Sequence, residues 1–296
     1  MATGFPGEQE VRVVVVGGVF REILDGDVSP KARFGGSGLV ASLVCSRLGA
    51  STALVSYVGS EDASAVFPML EAAGVDTNSV SVVSGASGTF VFPHGEDRPW
   101  PMYRPAEAAP HEAPFIPEAA VYIVFGIPDF DPVAAGWLDH LPTSAILIWD
   151  RQGWISRARD YRAASSLAPL QKIYVANLDE VLEEFSIGAK SELWNSLPPY
   201  GFSAAIVKEG TKGCTVIESS YGRIQRREVA GFPIEVSSTV GSGDAFVGGA
   251  GAGLASDAEL VDAVRLGNAS ASAFLSAGGD PLVEGFAESV RRLGRS

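Results

Sequence analysis

Short apolar runs separated by helix-length segments constrain this chain more than any other feature. Val11–Val16 is an almost unbroken β-branched run that stops at Gly17 and Gly18, as expected of a strand buried on both faces of a parallel sheet. The pattern returns at Val121–Phe125, Ala145–Trp149, Lys172–Ala176 and Ala204–Val207. Such strands, alternating with segments of helical period, build βαβ units. The expected fold class is therefore α/β, a three-layer α/β/α arrangement around a mostly parallel sheet. Between about Ser79 and Arg104 the texture changes. Val80–Val83, Thr89–Phe92 and Trp100–Tyr103 are short and are separated by turn-forming residues, which predicts small antiparallel strands joined by tight turns. After Ser256 the chain reads as helical to its end. No repeat or low-complexity linker divides it, so one domain over residues 1–296 is expected.

Composition excludes several functions. With 296 residues the chain should bury roughly 75% of its unfolded surface, and 46% hydrophobic with 19% charged residues is ordinary for a globular protein. A net charge of −13 argues against nucleic acid or an anionic membrane as partner, because both need a basic footprint. A small anion held by backbone N–H groups stays compatible. The two cysteines, Cys45 and Cys214, lack CxxC spacing and read as core thiols. Val11–Val19 is too short to span a bilayer and is preceded by acidic residues, so a cytoplasmic location is expected. No Walker A, HExxH or GxSxG pattern occurs, and His94, His111 and His140 show no ligand spacing.

Ser237–Leu254 carries the chemistry. Glycines at 241 and 243 suit a turn of positive φ, and the apolar helix that follows begins with unpaired N–H groups at its positive end. A phosphate fits there without a lysine. Asp244 lies at the mouth of this cradle, where the helix dipole favours its ionised form, and is a candidate general base. The alternative is a helix cap after a flexible turn. The helix interior holds Gly248, Gly249, Gly251 and Gly253, each costing about 0.8–1 kcal/mol against alanine, so close packing against a sheet or a nucleotide must offset the loss. Asn177 and Glu180 stand three apart after a buried strand, able to face one pocket with hard oxygen donors. A capping box is the alternative. Gly210–Gly213 joins two strands as a ligand-bordering loop or a plain hairpin turn. Gly36–Ala41 formally fits a dinucleotide fingerprint but lies too far beyond the Val11–Val16 strand.

Val240–Gly249 closely resembles the C-terminal signature of the ribokinase-like (PfkB) carbohydrate kinases, a threonine-glycine-alanine-glycine-aspartate core followed by Ala-Phe. The resemblance continues in order through Phe34–Gly38 leading into Ala41–Gly49, Asn177–Glu180 and Val207–Gly213, and so covers nearly the whole chain. It implies an ATP-dependent kinase that phosphorylates a hydroxymethyl group of a sugar or sugar derivative. It makes Asp244 the base and gives the N–H groups of Gly241, Ser242 and Gly243 to the transferring phosphoryl group. It assigns Asn177 and Glu180 to Mg²⁺, and Asn177, Lys208, Gly210, Gly213, Thr239 and Asn268 to the nucleotide. Glu22, Gly35, Gly36 and Arg104 fall to the acceptor, beneath a β lid from about 20–34 and 79–105 that is also a candidate homodimer surface. For Asn268 and its small neighbours a helix packing face explains the residues equally well; for Arg104 a solvated surface arginine does.

The chain departs from that pattern at three places. Val40 replaces an asparagine that touches sugar, which leaves the acceptor open. Ser238 replaces an aspartate that helps bind a monovalent cation, so K⁺ activation is expected to be weak or absent. Asp150-Arg151-Gln152 replaces a frequent aspartate-proline-asparagine run. A nucleoside kinase remains an alternative, with Phe90, Phe92 and Trp100 stacking on a base. A catalytically silent sugar or nucleotide sensor is another. A phosphorylated acceptor would need Arg21, Lys31 and Arg33 to collect near Glu22.

Overall fold

The computed structural model describes residues 11–24, 33–92, 102–108, 114–127, 136–151, 164–197, 200–220, 223–234 and 239–295. Trp100, Lys31, Ser238, Gln152, His94 and His111 lie outside them. The chain forms strands β1 (Val13–Val16), β2 (Phe20–Leu24), β3 (Arg33–Gly35), β4 (Thr52–Gly59), β5 (Val80–Val83), β6 (Thr89–Phe92) and β7 (Met102–Arg104). It continues with β8 (Val121–Phe125), β9 (Ile146–Asp150), β10 (Gln171–Asn177), β11 (Ala204–Lys208), β12 (Gly213–Ser220) and β13 (Arg223–Ala230). The described α-helices are α1 (Ser37–Arg47), α2 (Ala63–Ala73), α3 (Leu178–Phe185), α4 (Ser242–Ala255), α5 (Leu260–Ser276) and α6 (Phe286–Gly294).

Nine strands make one sheet in the order β13-β12-β11-β10-β9-β8-β1-β4-β5. Every pairing from β11 to β5 is parallel, and β12 and β13 add an antiparallel edge. The β-branched runs sit at its centre for the anticipated reason. Val13 and Val15 enter an apolar cluster on one face with Ile123 and Phe125. Val14 and Val16 enter a second cluster on the other face with Tyr122 and Val124. A period of two with apolar residues at both phases leaves neither face for water. Helices α1, α2, α4 and α5 cover the first face, while α3 and the 136–141 and 190–195 turns cover the second.

The glycines of α4 are accounted for by crowding. A Cβ on Gly248 would stand 2.7 Å from the Ala41 carbonyl oxygen of α1, and one on Gly251 would stand 2.5 Å from Ile123 of β8. The helix thus lies closer to α1 and to the sheet than any side chain at those positions permits, and packing offsets the poor helix propensity. None of the described helices is long and apolar enough to cross a membrane.

A second sheet runs β3-β2-β6-β7. Its outer pairings are antiparallel and its central β2–β6 pairing is parallel. Val80–Val83, expected among the small antiparallel strands, instead joins β4 as the parallel edge of the main sheet. Its alternation is too weak to choose a partner, and the pairing with β4 is made by tertiary packing. The small sheet is closed by Phe20, Phe90 and Phe92 packed with Tyr57 and Ile127.

Candidate active site

Parallel strands converge their C-terminal ends on a single sheet edge, where open α/β folds bind ligands. Three neighbouring strands end there on polar residues: β9 on Asp150, β10 on Asn177 and β11 on Lys208. Lys208 is in register with Asn177. Its Nζ donates to Asp150 Oδ2 at 2.7 Å across the intervening strand, with side chains only 12% and 3% exposed. Burial pulls the Lys208 ammonium toward a lower pKa, but Asp150, Glu180 and Asp244 outweigh it and hold the group above its usual value. The N-terminus of α4 closes over the same point, because a Cβ on Gly243 would stand 3.3 Å from Lys208 Nζ.

The cradle is built around one left-handed residue. Gly241, with φ 82°, is the N-cap of α4, and Asp244 stands in its first turn. Gly243, expected to share the positive φ, is helical instead, since one left-handed residue suffices to swing the chain into the helix. Ser242 is also committed differently from the expectation. Its N–H and its hydroxyl both donate to the Thr239 carbonyl, at 3.1 and 2.8 Å, closing the turn rather than facing a ligand. The N–H groups of Gly241 and Gly243 make no hydrogen bond among the described residues. A Cβ on Gly241 would come within 3.0 Å of the Phe274 ring and 3.9 Å of Val40. Val40 thus helps seat the turn, which explains an apolar residue at that place in α1.

Asn177 and Glu180 do form a capping box on α3, with the Asn177 N–H donating to Glu180 Oε2 at 2.7 Å. The box engages the Asn177 side chain and one oxygen of Glu180, and a carboxylate carries two oxygens with several lone pairs. Among the described residues no three His, Cys, Asp or Glu side chains gather into a metal cage. Mg²⁺ needs none, since it keeps several waters and takes one or two protein oxygens together with substrate phosphates. The half-buried Glu180 and the exposed Asn177, at the sheet edge beside Lys208, fit that demand.

On the side of the small sheet, Glu22 of β2 is buried, its Oε1 accepting the Gly36 N–H at 3.1 Å and its Oε2 accepting Arg33 Nε at 2.9 Å. Burial pushes its carboxyl above the usual range against the pull of Arg33 and of the Gly36 N–H. A Cβ on Gly35 would fall 2.2 Å from the Glu22 carboxylate, and Gly36 turns at φ 95° into the start of α1. Glycine at both places lets Glu22 grip the turn. Arg21 does not join Arg33 there; it pairs with Glu61 and Asp62. Arg104 lies exposed at the edge of the small sheet, opposite Thr89.

The remaining nucleotide candidates divide. Gly210 and Gly213, with φ 60° and 98°, turn β11 back into β12 as a hairpin. That turn is braced by Lys190, whose Nζ reaches Glu209 at 2.6 Å, Thr215 at 2.5 Å and Glu228 at 3.2 Å. Thr239 is exposed beside the cradle. Asn268 is spent on packing. Its amide donates to the Val229 and Ala230 carbonyls at 3.3 and 3.0 Å and its oxygen accepts from Cys214 at 3.2 Å, which ties α5 to β12 and β13.

Asp150 was not among the sequence candidates, whereas Arg33 was expected near Glu22 together with Arg21 and Lys31. A carboxylate directly after the apolar run ending at Trp149 was a usable signal for Asp150. Arg33 meets Glu22 because β2 pairs with β3.

Comparison with solved structures supports the fold. The chain resembles aminoimidazole riboside kinase from Salmonella enterica, complexed with aminoimidazole riboside and an ATP analog, with TM-score 0.76 and 16% identity over 96% of this chain and 99% of that one. It resembles fructokinase from Vibrio cholerae O395, bound to fructose, ADP and calcium ion, with TM-score 0.73 and 17% identity over 90% and 92%. It resembles ribokinase from Thermotoga maritima with TM-score 0.76 and 16% identity over 97% and 100%. A comparison with curated proteins finds no match. The model of the pfkB family carbohydrate kinases matches residues 24–281, and a match over that much of the chain, on a ribokinase-like fold, makes this protein a member of the pfkB family of carbohydrate kinases.

Proposed function

We propose that the protein transfers the γ-phosphoryl group of ATP to a hydroxymethyl group of a sugar or sugar derivative, with Asp244 as general base. The observation that carries this reading is the meeting of Asp244 and the Gly241 turn with the polar ends of β9, β10 and β11. Asp244 takes the proton of the acceptor hydroxyl as its oxygen attacks phosphorus, a role worth about 10²–10⁴-fold. The N–H groups of Gly241 and Gly243 donate to the charge that develops on the phosphoryl oxygens, with about 10²–10³ lost per donor removed. Glu180 and Asn177 would hold Mg²⁺ through its waters; when bound, that ion neutralises phosphate charge and orients the polyphosphate. Glu22 holds the Gly35–Gly36 turn beneath the lid, where the acceptor hydroxyls approach backbone. Gly210, Gly213 and Thr239 border the nucleotide, and Arg104 reaches the acceptor from the lid edge. The protein works as one domain, and the exposed edge of the lid is a candidate homodimer surface. The neighbours bound to an ATP analog and to ADP support the choice of nucleotide.

A nucleoside acceptor is the second reading, favoured by the riboside-bound neighbour. The stacking expected from Phe90 and Phe92 does not support it. Phe90 is buried with its ring centroid 4.9 Å from Phe20 and 4.6 Å from Tyr103. These rings fill the lid's own core.

The test is ADP release with Mg-ATP against free sugars, sugar acids, sugar phosphates and nucleosides, for wild type and Asp244→Asn side by side. One acceptor with turnover that Asp244→Asn abolishes, while nucleotide binding persists, is the expected result. Tight ligand binding without ADP formation across the panel would instead favour a sensor.

A further inference from the structure

We propose that Lys172 is a modification site, an amine at the N-terminal end of β10 that takes an acyl group from an activated donor such as an acyl phosphate. It stands five residues before Asn177 on the same strand, about 16 Å away along it. Neither its burial nor its chemistry depends on the kinase reading.

Strand alternation decides where the side chain goes. Tyr174 and Ala176 belong to the apolar cluster on the face of the main sheet that α3 covers, and Lys172 shares their parity, so its stem leaves β10 on that face. The backbone is held firmly. Lys172 is in register with Leu147 of β9, its N–H donates to Ser203 Oγ at 3.2 Å, and its carbonyl accepts the Ser203 hydroxyl at 3.1 Å. The ammonium ends beside the 200–203 loop. A Cβ on Gly201 would stand 3.4 Å from Lys172 Nζ and 3.8 Å from Ser165 Cα in the 164–166 turn. Gly201, with φ 78°, makes its turn and leaves that space open. Lys172 as a whole is only 6% exposed. Its Nζ is not one of the fully enclosed polar atoms that lack a partner, so the tip of the side chain still meets solvent.

A lysine is almost never so buried without a partner. Lys190 and Lys208 obey that rule, each paired with a carboxylate that helps hold its ammonium above the usual value. Lys172 breaks it. Among the described residues its ammonium makes no hydrogen bond and no ion pair, and burial alone pulls it below the ordinary lysine value. An unpaired buried charge is costly, and either loss of the proton or conversion to an amide removes the cost. The first supplies the nucleophile for the second. The neutral amine attacks the acyl carbon, the carbon–oxygen bond to phosphate breaks, and its electron pair leaves with phosphate while the amine proton passes to water. The product is a secondary amide with no charge to bury, whereas methylation would leave the charge in place.

The experiment treats the native protein with acetyl phosphate over a range of mildly alkaline pH and follows each lysine by peptide mass spectrometry. Lys172 should be acetylated ahead of the exposed Lys212 and of the paired Lys190 and Lys208, and its rate should level off at a lower pH than theirs. Melting temperatures supply a second measurement. Lys172→Met should melt about 2–4 °C above wild type at neutral pH, and Lys172→Arg below it, because a guanidinium cannot shed its charge. The folded value of Lys172 lies below the unfolded one, so its charge costs stability at neutral pH and stops doing so above the ordinary lysine value. The gap between wild type and Lys172→Met should therefore close as pH rises. Labelling of Lys172 no faster than of Lys212 across the range, or confined to protein unfolded in urea, would overturn the proposal. So would a Lys172→Arg variant as stable as Lys172→Met, since a charge at this place would then cost nothing.

Discussion

Arg21 on β2 and Asp62 at the start of α2 are joined by an Nε–Oδ1 hydrogen bond of 2.8 Å, and the other oxygen of Asp62 accepts the Ser87 N–H at 2.8 Å. One buried carboxylate thereby ties two strands of the small sheet, β2 and the approach to β6, to the main body. Desolvation pushes the Asp62 carboxyl up, but the bonds from Arg21 and Ser87 prevail and hold it below the usual carboxylate range. A group with a depressed folded pKa contributes stability above its unfolded pKa and loses it as pH falls through the folded one. Asp62→Asn should therefore cost about 1–3 kcal/mol at neutral pH. The gap to wild type should shrink as pH drops below the ordinary carboxylate range. Urea unfolding at several pH values checks this, and a gap independent of pH would show that the charge is not what anchors the sheet.

Gly248→Ala should destabilise the protein despite alanine's better helix propensity, because the new methyl would stand 2.7 Å from the Ala41 carbonyl oxygen. Overpacking of this kind costs about 1–3 kcal/mol, against a propensity gain of about 1 kcal/mol. A lowered melting temperature is expected, and a raised one would mean that α1 and α4 can separate freely.

Both thiols should be silent in the native protein. Burial pushes Cys45 and Cys214 up to about 12, so neither is a thiolate at neutral or mildly alkaline pH, and the thiolate is the reactive form. Titration with a disulfide reagent at pH 8 should find no fast-reacting thiol before denaturant is added and two afterwards, the number in the sequence.

Glu22→Ala should leave the Gly36 N–H and Arg33 without their acceptor, costing about 1–3 kcal/mol. Since Gly36 starts α1 at the lid side of the site, KM for the acceptor should rise more than kcat falls. Glu22→Gln, which can still accept from Gly36, should recover much of the KM. Equal KM values for the two variants would argue against a role in shaping the acceptor turn.

Much of the architecture was legible along the chain because a strand buried on both faces needs an unbroken apolar run. β8 fell on the anticipated residues, Val121–Phe125, and β10 and β11 differ from expectation by a residue or so at their ends. β5 was misassigned because four residues of mixed burial carry no information about which neighbour they will pair with. The cradle was legible in part. Gly241 and Asp244 stand as the local glycine and dipole arguments require, whereas Gly243 and Ser242 do not, because the turn closes on Thr239.

The sequence by itself determined the class of fold, the place of the Gly241 turn and the position of Asp244 in the first turn of α4, since each depends on neighbours within one strand or one helical turn. Only the tertiary structure decided that Lys208 meets Asp150, that Asn268 is spent on β13 and that Arg33 rather than Arg21 reaches Glu22. Those contacts join residues on different strands and helices, and the side-chain geometry that selects them exists only once the sheet has placed its strands side by side.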